Sequence, residues 1–177
     1  MIRQISLLVL LVFSGKNPAN ECRTIPDIHH GFETDLFDEA VECIKRYEGW
    51  HTSRNYPYVG YGHKLLSGEK FNHEITKQFA DSILRQDLKK KCAAFKKFGR
   101  DSLLLGVLAY NVGEYTLLGH KQKPKSKLIR KLEAGNRTIY QEYISYCKYK
   151  GKIIPSIKKR RKEEFQLLFN KTKTISK

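Results

Sequence analysis

The stretch Ser102-Leu103-Leu104-Leu105-Gly106-Val107-Leu108-Ala109-Tyr110-Asn111-Val112 is apolar nearly all round, and this run constrains the chain more than any other. A helix with no polar face has to be enclosed by other elements. The run is well short of the roughly 20 apolar residues that span a bilayer, so the enclosure must be protein. A chain of 177 residues with 40% hydrophobic and 11% aromatic side chains can supply it. The sequence therefore predicts one domain built around a central buried helix, with Asp101 as its capping residue.

The neighbouring segments supply the walls. From Asp35 the apolar positions Leu36, Phe37, Ala40, Val41, Ile44 and Tyr47 recur at helical spacing, with Thr34 or Asp35 to cap the start and Gly49 to end it. Residues 50–63 are aromatic and β-prone, with Pro57, Gly60 and Gly62, and read as a short hairpin or extended loop, the only strand-like section. Thr76 can cap a long helix carrying Phe79, Ala80, Ile83, Leu84, Leu88, Cys92 and Phe95, closed by Gly99. Helices are expected near 126–134 and 136–147, and Pro155-Ser156 opens a last one through Phe169. Residues 171–177 read as a frayed tail.

At the N-terminus, Arg3 and the apolar run Ile5–Phe13, followed by small and polar residues, read as a secretory signal over 1–19, with a linker over 20–34. Export, to the periplasm or the cell exterior, makes Cys22, Cys43, Cys92 and Cys147 candidates for two disulfides, with four buried thiols as the alternative. None of them is spaced with another cysteine or a histidine as a zinc pair, so no metal and no cofactor is expected. Lys and Arg total 34 against 18 Asp and Glu, a net charge of +16, which favours polyanions: nucleic acid, anionic membranes or the bacterial wall. No nucleic-acid module and no stable membrane anchor accompanies it.

Glu48 stands at the last turn of the first helix. A carboxylate there faces the negative end of the macrodipole, and Tyr47 and Trp50 restrict its hydration, surroundings that suit a proton donor. Gly60 and Gly62 allow tight backbone and close approach by another segment. Trp50, Tyr56, Tyr58 and Tyr61 suit either sugar stacking or cross-strand packing. Asn111 is a polar residue at the end of the apolar helix, fit to bind substrate or to terminate the helix.

The order of helix, Glu48-Gly49, short loop, Gly60-Tyr61-Gly62-His63, long helix and Ala109-Tyr110-Asn111-Val112-Gly113 resembles the phage-type lysozymes of glycoside hydrolase family 24. The likeness continues through Ile75-Thr76, Ala80, Leu84, Asp87 and Leu88. It reaches the segment from Ser156 to Glu164, similar to the family's paired arginines followed by a glutamate, and covers residues 36–169. The form Tyr56-Pro57-Tyr58-Val59-Gly60-Tyr61-Gly62-His63 is similar to a lysozyme-related branch carried on bacterial conjugative elements. The resemblance implies an α+β, predominantly α-helical, lysozyme-like fold over 35–170, with a small β-hairpin after the first helix and a helical main lobe.

In that family the glutamate before the glycine is the general acid, a role that falls on Glu48. The family also uses an aspartate, and a threonine before the glycine motif, to hold or activate water. Here no Asp or second Glu lies between Glu48 and His63, and Tyr58 stands where the threonine would align. Glycoside hydrolysis ordinarily takes two carboxylates. Three accounts of the gap are open: a distant Glu69, Asp101 or Glu114; water positioned by His51 or His63, with Thr52 a further hydroxyl; or a single acid with a stabilising pocket. Arg160 and Arg161 read as structural pairs or as part of the solvated basic face.

The implied activity is a muramidase cleaving the β-1,4 bond between N-acetylmuramic acid and N-acetylglucosamine in peptidoglycan, beside a conjugation or lysis apparatus. The missing aspartate motivates the alternative, a lysozyme fold that binds peptidoglycan or an assembly partner with little or no cleavage.

Overall fold

The computed structural model describes residues 34–171. The signal and linker readings, Cys22 and the residues beyond 171 lie outside that range. Helix α1 (Thr34–Glu48) leads through a short 3-10 turn (Ser53–Asn55) into strands β1 (Tyr58–Val59) and β2 (His63–Lys64), an antiparallel pair with Val59 opposite His63. Helix α2 (Lys77–Ala94) and a 3-10 run (Lys96–Asp101) precede the central helix α3 (Ser102–Val112). Helices α4 (Glu114–Leu118), α5 (Lys127–Glu133) and α6 (Tyr140–Ile144), strands β3 (Lys148–Tyr149) and β4 (Lys152–Ile153), and helix α7 (Pro155–Lys171) complete the domain. The fold is α+β and mostly helical, as expected.

Every residue of α3 from Ser102 to Ala109 is buried, and α1, α2, α4 and α7 pack around it. Its closest neighbour is α2. A Cβ at Gly106 would lie 2.5 Å from Cys92 Sγ and 3.1 Å from the Cys92 backbone, so only glycine lets the two helices approach this closely. Thr76 caps α2 by accepting from the Phe79 amide at 3.1 Å, and Gly49, at φ +66°, ends α1.

Four expectations are corrected. Asp101 makes no side-chain cap; it already has helical backbone (φ −84°, ψ −5°) inside the 3-10 run, and its carboxylate instead accepts two bonds from Arg137, at 2.6 and 3.0 Å. The helix expected over 136–147 is confined to Tyr140–Ile144. A second hairpin follows it, turning at Lys150 (φ +48°) and Gly151 (φ +79°), the pair of positive φ angles that a type I′ turn requires. The 50–63 section is thus not the only strand-like one. Helix α4, between Gly113 and Gly119, has no counterpart in the sequence reading. Finally, Cys43, Cys92 and Cys147 are free and buried, each serving as a small core side chain rather than half of a disulfide.

Candidate active site

Helix α1 delivers Glu48 to the junction of the first hairpin with the ends of α3 and α7. After Gly49 the chain folds back on itself: the His51 amide donates to the Gly60 carbonyl at 2.8 Å. Tyr110 of α3 donates its hydroxyl to the Tyr61 carbonyl at 3.0 Å, which fixes the hairpin to the central helix. Tyr61 also meets Trp50 edge-on, with ring centroids 5.3 Å apart. Gly62 is thereby held beside the acid. The point a Cβ would occupy there lies 3.6 Å from Glu48 Oε2 and 3.7 Å from His51 Cε1.

The other carboxylate oxygen is tied down. Arg160 Nη1 donates to Glu48 Oε1 at 2.7 Å, and Asn111 Nδ2 approaches the same atom at 3.5 Å. Behind this lies an ionic framework: Arg160 Nε donates to Glu164 Oε1 at 2.7 Å, and Arg161 Nη1 lies 2.8 Å from Glu164 Oε2. The Tyr143 hydroxyl donates to Glu164 Oε2 at 2.9 Å, and Arg161 Nη2 to Asn111 Oδ1 at 2.9 Å. Arg160 is 5% exposed, and Arg161 and Glu164 are fully enclosed, so the basic-face reading of the two arginines is overturned and the paired reading stands. Burial works against the Arg160 charge, but Glu164 and Glu48 outweigh it and hold the guanidinium protonated. The Tyr47 ring, 5.5 Å from the guanidinium carbon, supports it from α1. Burial and a hydrogen bond to Glu163 push the Tyr47 phenol up to about 12, so it serves as a fixed donor.

The arrangement leaves the second carboxylate oxygen, Oε2, untied. It accepts no hydrogen bond among the described residues. Trp50, Tyr58 and Asn111 are exposed, and of these Asn111 lies against the carboxylate.

The remaining sequence-predicted residues separate into those near the acid and those elsewhere. His51 and Asn111 are brought to Glu48. Tyr58 stands next to His51, with ring centroids 6.2 Å apart. The Thr52 amide and hydroxyl meet Asn55 Oδ1 at 2.9 and 3.4 Å, closing the 3-10 turn. His63 is buried, and both its ring nitrogens are engaged, Nδ1 by Asp87 at 2.6 Å and Nε2 by Glu69 at 3.0 Å. It ties the hairpin to α2 and has no nitrogen left for water. Of the distant carboxylates, Glu69 is on His63, Asp101 on Arg137, and Glu114 on Lys91 at 3.1 Å. The residue missed by sequence reasoning as a partner of Glu48 is Arg160. Its signal was the spacing of Arg160, Arg161 and Glu164, which places both guanidinium groups within reach of one carboxylate on a helix.

No curated protein matches the chain. The model of the phage lysozyme family matches residues 43–164, from the helix that carries Glu48 through the arginine pair to Glu164, well over half the chain. The acid, the hairpin glycines beside it and the ionic framework behind it all fall inside that span, and the chain belongs to the phage lysozyme family.

Proposed function

We propose that the protein is an exported muramidase that hydrolyses the β-1,4 bond between N-acetylmuramic acid and N-acetylglucosamine, with Glu48 as general acid. The observation that carries this reading is the asymmetry of the Glu48 carboxylate. Arg160 and Asn111 hold Oε1, so a proton placed on the carboxyl group belongs on Oε2, toward Gly62 and open solvent. Trp50 and Tyr58 offer faces on which sugar rings can stack. The likeness of residues 56–63 to conjugative-element proteins supports a role in opening the wall for a transfer or lysis apparatus.

The test is release of muropeptides from purified peptidoglycan by the wild type and by Glu48→Gln, with product mass separating reducing ends from 1,6-anhydro ends. Glu48-dependent products are expected. A second reading, peptidoglycan binding without cleavage, is favoured by one feature: Glu69, Asp101 and Glu114 are all engaged away from Glu48. It predicts retention on peptidoglycan with no product in either protein.

A further inference from the structure

We propose that His51 is the base that takes the proton of the attacking water. This rests on the muramidase reading above and supplies the group that the sequence lacks. When water attacks directly from the face opposite the leaving oxygen, the acid that protonates that oxygen does not also receive the water proton, and the two groups that share the step, ordinarily carboxylates, stand about 6.5–9.5 Å apart. The carboxylates close to the Glu48 network are committed: Glu163 to Tyr47 and Arg46, and Glu164 to Tyr143 and both arginines. An imidazole is the remaining candidate.

The local geometry selects the tautomer of the neutral ring. His51 Nδ1 lies 3.3 Å from the Gly60 carbonyl oxygen, which only accepts, so in the neutral ring the hydrogen sits on Nδ1 and the lone pair on Nε2. Nε2 has no hydrogen-bond partner among the described residues. The same Gly60 carbonyl also receives the His51 amide, so ring and backbone are set by one anchor, and Tyr58 flanks the ring. Tyr58 of β1 and the Gly60 and Gly62 backbone lie against His51, and Glu48 of α1 borders the same Gly62. Glu48 Oε2 and the His51 ring border the same bare glycine, which leaves room between them where a side chain at 62 would otherwise stand.

In the step itself, the water oxygen bonds to C1 of the muramic acid residue as the bond from C1 to the glycosidic oxygen breaks. The Glu48 Oε2 proton passes to that leaving oxygen, and one water proton passes to His51 Nε2. The site is left as carboxylate and imidazolium, which solvent exchange returns to acid and base. Direct displacement inverts C1.

The experiment measures hydrolysis of purified peptidoglycan by the wild type, Glu48→Gln, His51→Ala and His51→Asn. The asparagine amide can still donate to Gly60 but cannot accept the water proton, so His51→Asn separates a structural hydrogen bond from base catalysis. Both histidine variants are expected to lose kcat by about 10²- to 10⁴-fold with KM little changed, and added imidazole is expected to restore part of the activity of His51→Ala. Near-wild-type turnover by His51→Asn, or a loss in His51→Ala that imidazole does not relieve, would overturn the assignment. So would 1,6-anhydro ends from the wild type, because water would then not be the nucleophile, while Glu48 as acid would survive. The absence of any Glu48-dependent product would instead sink the muramidase reading itself.

Discussion

Arg160 is bound at one end to Glu48, the acid of the proposed reaction, and at the other to the buried Glu164. Glu164 is enclosed and fully partnered, whereas the Glu48 side chain retains 18% exposure. Replacing one member of a buried ion cluster leaves the others uncompensated, at a cost of about 3–5 kcal/mol. Arg160→Gln is therefore expected to lower unfolding stability by about that much in a denaturant titration. Glu48→Gln should cost clearly less, because Arg160 keeps Glu164 and the amide oxygen can still accept. A Glu48→Gln protein that is inactive yet nearly as stable as the wild type would place the loss in the chemistry. His63 offers a second residue-scale prediction. Burial disfavours its charge, but Asp87 and Glu69 outweigh this and raise its pKa above the ordinary imidazole value. Its contribution is therefore complete below about pH 6.5 and is lost as the pH climbs through the folded value. Glu69, lowered by its bonds from His63 and the Leu66 amide, contributes above about pH 4.5 and loses its share as the pH falls through its folded value. The stability gap between wild type and His63→Gln should thus be widest between those limits, at about 1–3 kcal/mol, and should narrow on the alkaline side. A gap that widens with alkali would contradict the sign.

At the scale of elements, the seam between α2 and α3 is set by Gly106 against Cys92. Gly106→Ala gains roughly 1 kcal/mol of helix propensity but forces a Cβ into Sγ and backbone, an overpacking that typically costs about 1–3 kcal/mol. A net loss of up to about 2 kcal/mol is expected, and Cys92→Ala in the same chain should recover part of it, because the sulfur clash goes while the backbone contact stays. The long elements around this seam were legible in the sequence because their signals are periodic and local: the amphipathic run ending at Gly49, the Thr76 cap, the all-round apolar α3, and Pro155 opening α7. The elements that escaped depend on tertiary context. Lys150-Gly151 lacks the Asn-Gly or Asp-Gly signature of a type I′ turn, α4 is five residues between two glycines, and Asp101 reads as a cap until Arg137 claims it. The site divides in the same way. Glu48 was visible from its place before a helix-ending glycine and from the family resemblance, and His51 was a named candidate. For Arg160 the sequence left pairing and a solvated basic face both open, because Lys158, Lys159 and Lys162 surround it, and only the fold turns Arg160 and Arg161 inward while Lys159 and Lys162 face out.

For the whole molecule that division matters, because α7 shields two cations to hold the acid and leaves lysines outside. Lys148, Lys150 and Lys152 of the second hairpin are likewise exposed. These lysines of the described residues are therefore free to act, as part of a chain of net charge +16, on a polymer that bears carboxylates on its stem peptides. Such attraction reaches over a Debye length of about 10 Å at 0.1 M salt and about 3 Å at 1 M, whereas the ion pair of Glu48 with Arg160 is a 2.7 Å contact between largely enclosed side chains. Salt should accordingly separate capture from chemistry. Retention of Glu48→Gln on purified peptidoglycan is expected to fall about tenfold or more between 50 mM and 0.5 M salt. The turnover of the wild type at saturating substrate should change far less across the same range. The readout is a pair of curves, bound fraction and kcat, against ionic strength. If kcat fell in step with binding, the charge would be acting at the reacting bond, and the buried framework of Arg160, Arg161 and Glu164 would not be insulating the acid as its burial implies.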